Sequence, residues 1–175
     1  MIKGKGNYSF TSSVYHRVKY SVPSYAKATV AKTTYSGKAQ AAKITVKNGS
    51  KKLKAGTDYV ISGTTKAKNA GKYTIKITGK GNYAGSKTIT YTISKCNQKW
   101  IGIKTNNTSK KIAVSGVKGK AKVAYATNNS KVKVSGGKIS IAKGVKSGTK
   151  VKITVKVGAT KNFNAYKKTI TYVVK

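Results

Sequence analysis

The sequence predicts an all-β protein: two small antiparallel β-sandwiches in tandem, preceded by part of a further repeat. Three observations predict it. Apolar and polar residues alternate with period two over short stretches, and no stretch shows the spacing of an amphipathic helix. Clusters of Gly, Asn, Ser and Lys punctuate the alternation. The 175 residues are enough for one ordinary domain or two small ones. Short strands set off by turns over ~70–80 residues suit a small β-sandwich.

In chain order, IKGKGNY (Ile2–Tyr8) comes first and leads toward a strand near Val18–Val22. KITVK (Lys43–Lys47) alternates, and KNGSKK after it is a turn. KYTIKIT sets Tyr73, Ile75 and Ile77 on one face against Thr74, Lys76 and Thr78. TITYTI sets Ile89, Tyr91 and Ile93 against Thr88, Thr90 and Thr92. KVKV (Lys131–Val134) and KISI (Lys138–Ile141) flank the turn at SGGK. VKITVKV sets Val151, Ile153, Val155 and Val157 against Lys152, Thr154 and Lys156, and TITYVV (Thr169–Val174) closes the series. One face is β-branched or aromatic and the other is Lys or Thr, as in half-buried strands of antiparallel sheets.

Internal repetition sets the expected boundaries. ITGKGNY (Ile77–Tyr83) repeats IKGKGNY at an offset of 75 residues, and KNFNAYKKTITYVV (Lys161–Val174) echoes GNYAGSKTITYTI (Gly81–Ile93). Each echo closes a unit, which makes residues 1–22 the tail of a preceding repeat, 23–95 one complete unit and 96–175 a second of another subtype. A start in mid-phrase reads as an excerpt from a longer array. The orphan tail then frays, packs against the next unit, or pairs with a neighbouring chain.

The stretch from Thr34 to Ile93 resembles a repeat of large surface proteins of gut Firmicutes, with the pattern Y-S-G-K, L-x-x-G-x-D-Y, N-A-G-x-Y/A-x-I-x-I-x-G-x-G-N-Y-x-G and a closing strand. Tyr35, Gly37, Leu53, Gly56, Asp58, Tyr59, Asn69, Gly71, Gly79, Gly81, Asn82, Tyr83 and Gly85 fall on it. The following unit resembles a bacterial immunoglobulin-like domain of the Big-2 kind through Tyr125, Asn128, Asn129, Val132, Val134, Gly137 and Ile139, with Thr127 where Ser is usual. The resemblance implies immunoglobulin-like β-sandwich modules of secreted, often wall-attached proteins that act as stalks or carry binding sites. It supplies no catalytic residues.

Composition excludes much chemistry. Lys plus Arg number 38 against one Asp plus Glu, a formal charge of +37. Arg17 is the sole arginine, Asp58 the sole acid and His16 the sole histidine. A carboxylate pair for glycoside hydrolysis is absent, and one Asp does not build a calcium site. A zinc site wants about four ligands, and only His16, Asp58 and Cys96 exist to serve. No enzyme, cofactor or metal site is expected. Cys96 is alone, so no disulfide framework forms; it is either a small half-buried residue at a domain junction or a thiol available for an intermolecular bridge. No stretch approaches ~20 apolar residues, so no membrane span is expected. MIKGKGNYSF lacks the apolar core of a signal peptide, and a secreted parent would carry its signal upstream.

Asp58, in KAGTDYV, is expected to accept backbone N–H bonds in a loop. The alternative, promotion of a Lys–Asn isopeptide crosslink, requires a buried acid beside the pair. The glycines of GKGNY stand between two strands rather than before a helix, which favours a turn over a phosphate cradle. Tyrosines on alternating strands are expected inside, and Trp100 has no assigned place. The lysines are spread along the strands at outward positions, Lys43, Lys47, Lys76, Lys87, Lys152 and Lys156 among them. They keep sheet surfaces soluble and block edge pairing, and they are the candidate contacts for a polyanion such as teichoic acid, nucleic acid or an acidic glycan. Sequence-specific reading of nucleic acid would favour Arg, Asn and Gln at one element, which a single arginine opposes. The expected role is a non-catalytic spacer and adhesion module at a bacterial cell surface, with diffuse polyanion binding as the alternative. Neighbouring repeats and cell-wall or host-surface polymers are the expected partners.

Overall fold

The structure, a computed structural model, describes residues 2–3, 11–12, 19–21 and 33–175. Gly4–Tyr8 of the first repeat phrase and His16 lie outside the described residues, as do Val18 and Val22 of the expected early strand. Among the described residues the regular elements are strands and none is a helix, so the protein is all-β. The strands are β1 Ile2–Lys3, β2 Thr11–Ser12, β3 Tyr20–Ser21, β4 Thr33–Thr34, β5 Gln40–Ala41, β6 Lys47–Asn48 and β7 Lys51–Lys52. They continue with β8 Tyr59–Gly63, β9 Lys66–Ala67, β10 Gly71–Gly79, β11 Tyr83–Ala84, β12 Ser86–Ser94, β13 Gly102–Asn106 and β14 Lys111–Ser115. The last are β15 Val123–Thr127, β16 Val132–Ser135, β17 Lys138–Ile141, β18 Lys150–Val157 and β19 Tyr166–Val173.

The chain forms two compact units, each assembled from separate segments. One comprises residues 1–31, 41–65 and 73–91; the other comprises 32–40, 66–72 and 92–175.

In the first unit β8 pairs antiparallel with β10, from Ile75 opposite Gly63 to Gly79 opposite Tyr59. Ile75, Ile77, Tyr83 and Tyr91 are buried at alternate positions, and Thr74, Lys76, Thr88 and Thr90 are exposed between them. Each fully buried Ile or Val is worth about 1.5–3 kcal/mol over an exposed one. The turn KNGSKK joins β6 and β7 into a hairpin with Gly49 at φ +57°. KITVK departs from the expectation of a full strand, since only Lys47 of it lies in β6. Isolated backbone bonds hold it at each end: Ala42 N–H donates to the Thr65 carbonyl (2.8 Å), and Leu53 N–H to that of Val46 (2.9 Å). The burial alternation survives, because Val46 is buried while Lys43 and Lys47 are exposed.

Of the two glycines in ITGKGNY expected to favour the turn, Gly81 takes positive φ (+63°), and Gly79 instead ends β10. Tyr83 folds inward, as expected. The described part of the early strand, β3, lies parallel to β11, with Tyr20 opposite Tyr83. Tyr20 N–H donates to the Asn82 carbonyl (2.9 Å), and the Tyr20 and Tyr83 rings are 6.0 Å apart.

The second unit has two sheets that share one core. Their strand orders are β13-β14-β17-β16 and β15-β18-β19. Ile112, Val132 and Ile139 from the first sheet pack with Val151, Ile153, Val155 and Tyr172 from the second, in a sandwich-like arrangement. The hairpin between β16 and β17 turns on Gly136 and Gly137, at φ +55° and +81°. A Cβ on Gly137 would sit 2.5 Å from the Ile112 carbonyl oxygen, so only glycine fits there. Thr127, where the resembled family has Ser, donates its hydroxyl to the Asn129 and Val132 carbonyls at 2.9 and 2.7 Å, and a serine hydroxyl has the same capacity. Segments 32–40 and 66–72 join this unit through named contacts. Asn162 Oδ1 accepts from Ala70 N–H (2.8 Å), Asn162 Nδ2 donates to Asn69 Oδ1 (3.0 Å), and the Tyr35 and Phe163 rings meet edge to face at 5.4 Å.

Candidate polyanion-contact surface

The sheet β15-β18-β19 has an outer face that its register defines row by row. Ala124, Lys156 and Lys167 form one row, and Ala126, Thr154 and Thr169 the next. Beyond that Lys152 stands opposite Thr171, and Lys150 opposite Val173. On the other side of the Ala124 row the alternation places Lys122, Gly158 and Ala165, where Gly158 N–H donates to the Lys122 carbonyl (2.9 Å). Lysine and small residues occupy this face because the opposite face supplies the core. Thr154 and Thr169 hydroxyls meet across the strands at 3.0 Å.

The candidate lysines fall in both units. Lys43, Lys47, Lys76 and Lys87 belong to the first, Lys152 and Lys156 to the second. Lys43, Lys47, Lys76, Lys152 and Lys156 are exposed, and Lys87 is half-buried with a bonding partner. The structure sets Lys152 and Lys156 on one face. Sequence reasoning missed the cross-strand pairing of lysines: Lys47 stands opposite Lys52, Lys111 opposite Lys138, and Lys156 opposite Lys167. Two ammonium groups ~6 Å apart repel by about 0.7 kcal/mol in water before screening, and like charges directly opposite destabilise a sheet. The chain's one acid, Asp58, belongs to the first unit, so no carboxylate side chain of the second neutralises its lysines.

A scan of protein-family models and a search of curated protein sequences find no match to this chain.

The remaining candidates have structural work. Asp58 Oδ2 accepts the Lys54 backbone N–H at 2.8 Å, as the loop pattern predicts. Its charge and, more strongly, burial raise the pKa of Tyr59. Cys96 keeps a free, half-buried thiol, while its backbone pairs with the segment around Phe163, its N–H donating to the Asn162 carbonyl and its carbonyl accepting from Asn164 N–H, each at 2.9 Å. Tyr59, Tyr83, Tyr91 and Tyr172 are buried, consistent with core packing, whereas Trp100 is 77% exposed. Among the described residues no three His, Cys, Asp or Glu side chains cluster to hold a metal, and no helix is long and apolar enough to cross a membrane.

Proposed function

We propose that the chain is a non-catalytic repeat module of a secreted bacterial surface protein, built of immunoglobulin-like sandwiches and acting as a stalk and in adhesion. The β18–β19 ladder carries this reading. Eight consecutive residue pairs, from Lys150 with Val173 to Val157 with Tyr166, join these strands. Val174 extends the ladder, donating to the Thr149 carbonyl and accepting from Gly148 N–H. A pull along the axis of β19 loads these rungs together instead of one at a time, which suits an element that transmits tension. The resemblance to surface-protein repeats supports the same role, and the Lys and Thr outer faces suit a module held in water.

Stretching single molecules of the full chain between handles tests it. The expected record shows a discrete rupture for the second unit, releasing roughly 0.34 nm of contour per residue unfolded. Smooth extension without a rupture would remove the mechanical role.

A second reading, association with polyanions, is favoured by the three lysine pairs facing one another across strands. Repulsion built into the register is relieved when an external anion binds between the partners.

A further inference from the structure

The second unit carries a concavity of about 450 Å³ at one end of its β15-β18-β19 sheet. Lys122, Lys156 and Lys167 line it together with Ala124, Gly158 and Ala165. Tyr166 and Val157 complete the wall. We propose that this concavity is a binding subsite for an acidic glycan, a chain of pyranose rings bearing carboxylate or sulfate groups. The inference rests on the polyanion reading and narrows it from diffuse charge to one place and one ligand class.

Three observations converge on it. First, the cations are gathered by register. Lys156 and Lys167 stand directly opposite one another, and Lys122 lies one row away on the same face across β18, so Cα spacings run from ~5 Å for the facing pair to ~12 Å between Lys122 and Lys167. Second, these cations have no anionic side chain to meet in their own unit, because Asp58 belongs to the other. Charge complementarity therefore has to come from outside the unit. Third, the surface between the lysines is low and apolar. Ala124, Gly158 and Ala165 are all exposed and carry at most a methyl group, leaving a flat place where lysine or threonine would otherwise stand.

The combination selects among polyanions. A phosphate polymer needs only the cations and gains nothing from an apolar floor. Single-stranded nucleic acid is held by several aromatic side chains on which successive bases stack, and this concavity has one ring, the half-buried Tyr166. A pyranose has an apolar face that lies on Ala and Gly while its anionic substituents reach the lysines at the rim. The larger concavity of the unit, about 650 Å³ beside Asn128 and Asn129, is less suited to an anion. Its lining holds one lysine, Lys133, against three here.

Calorimetric titration of the full chain with an oligogalacturonate at about 0.15 M salt, where screening reaches ~8 Å, tests the proposal. Inorganic polyphosphate and oligo-dT serve as comparison ligands. K156Q/K167Q is expected to weaken oligogalacturonate binding by about tenfold or more, and K51Q/K80Q, which removes equal charge from exposed positions of the first unit, by less than about twofold. A124I keeps every charge and fills the floor; it is expected to weaken oligogalacturonate and leave polyphosphate unchanged. K156Q/K167Q relieves a like-charge pair, so it is expected to melt no lower than the parent. The single variant K167Q stands in if the double variant does not fold.

Equal weakening by both lysine pairs would overturn the subsite and leave diffuse polyanion binding standing. Tighter binding of polyphosphate or oligo-dT, or an unaffected A124I, would overturn the glycan assignment. Absence of binding to all three polymers would remove the subsite and the polyanion reading together.

Discussion

Tyr91 carries a hydroxyl that the fold buries and leaves without a hydrogen-bond partner, and Tyr172 does the same in the other unit. An orphaned buried hydroxyl costs about 1–3 kcal/mol, so a phenyl ring of the same shape is the better occupant. Tyr91→Phe is expected to be neutral or to stabilise by about 1 kcal/mol, measured by urea unfolding. A loss of stability would mean that the hydroxyl is satisfied in solution. Burial, and then the neighbouring Tyr73 ring stacked at 5.3 Å, push the Tyr91 pKa above its usual 10.0. Tyr59 is raised as well, by burial and then by Asp58. The sign follows from linkage: the unfolded tyrosine ionises first, so the contribution is complete below pH 10 and is lost as pH rises through the folded value. The alkaline loss should accordingly be smaller in Tyr91→Phe than in the parent.

At the scale of the element, the costs lie in the pairing of strands. Lys111 in β14 stands opposite Lys138 in β17, and replacing one by a carboxylate turns repulsion into attraction. Lys111→Glu is expected to raise stability by about 0.2–1 kcal/mol, with the gain shrinking as salt is added. Lys104→Glu, whose cross-strand neighbour is Ala113, should gain less. Equal gains from the two variants would show that net charge matters and pairing does not. Lys168 shows the same residue type in another use. It registers opposite buried Val155 yet is itself exposed, placing a charge on the edge strand β19 where it deters further pairing.

Long strands were legible in the sequence because their inner positions are nearly all β-branched or aromatic, as in VKITVKV and TITYTI. The strands β13 and β14 were not foreseen, although KIAVS carries the signal: Ile112 is buried and Val114 half-buried between exposed Lys111, Ala113 and Ser115. The lysine pairs and the Lys122–Lys156–Lys167 grouping were not legible. Register depends on which turns form and which strands neighbour each other, and a one-residue slip would move every side chain to the other face. The same holds for Tyr35 and Phe163, which meet across more than half of the chain.

On the scale of the whole molecule, a formal charge of +37 with one acid makes self-repulsion a constant opponent of compactness. Screening falls from ~10 Å at 0.1 M to ~3 Å at 1 M salt, so added salt should remove much of that opposition. The melting temperature, followed by circular dichroism, is expected to rise with sodium chloride and to rise further with low concentrations of polyphosphate. A flat response to both would show that the lysines are too well solvated to matter.

The way the second unit is gathered has a kinetic consequence. Asn162 holds Asn69 and Ala70 at separations of 93 and 92 residues along the chain. Contacts so distant in sequence carry a large loop-closure cost before they return any stability, and folds rich in them form slowly. A chain that emerges from its N-terminus must hold Tyr35 and Asn69 in waiting until Asn162 and Phe163 arrive. Completion of this unit therefore waits on the exposure of Asn162 and Phe163, and a truncation before Asn162 would remove these contacts from Tyr35, Asn69 and Ala70.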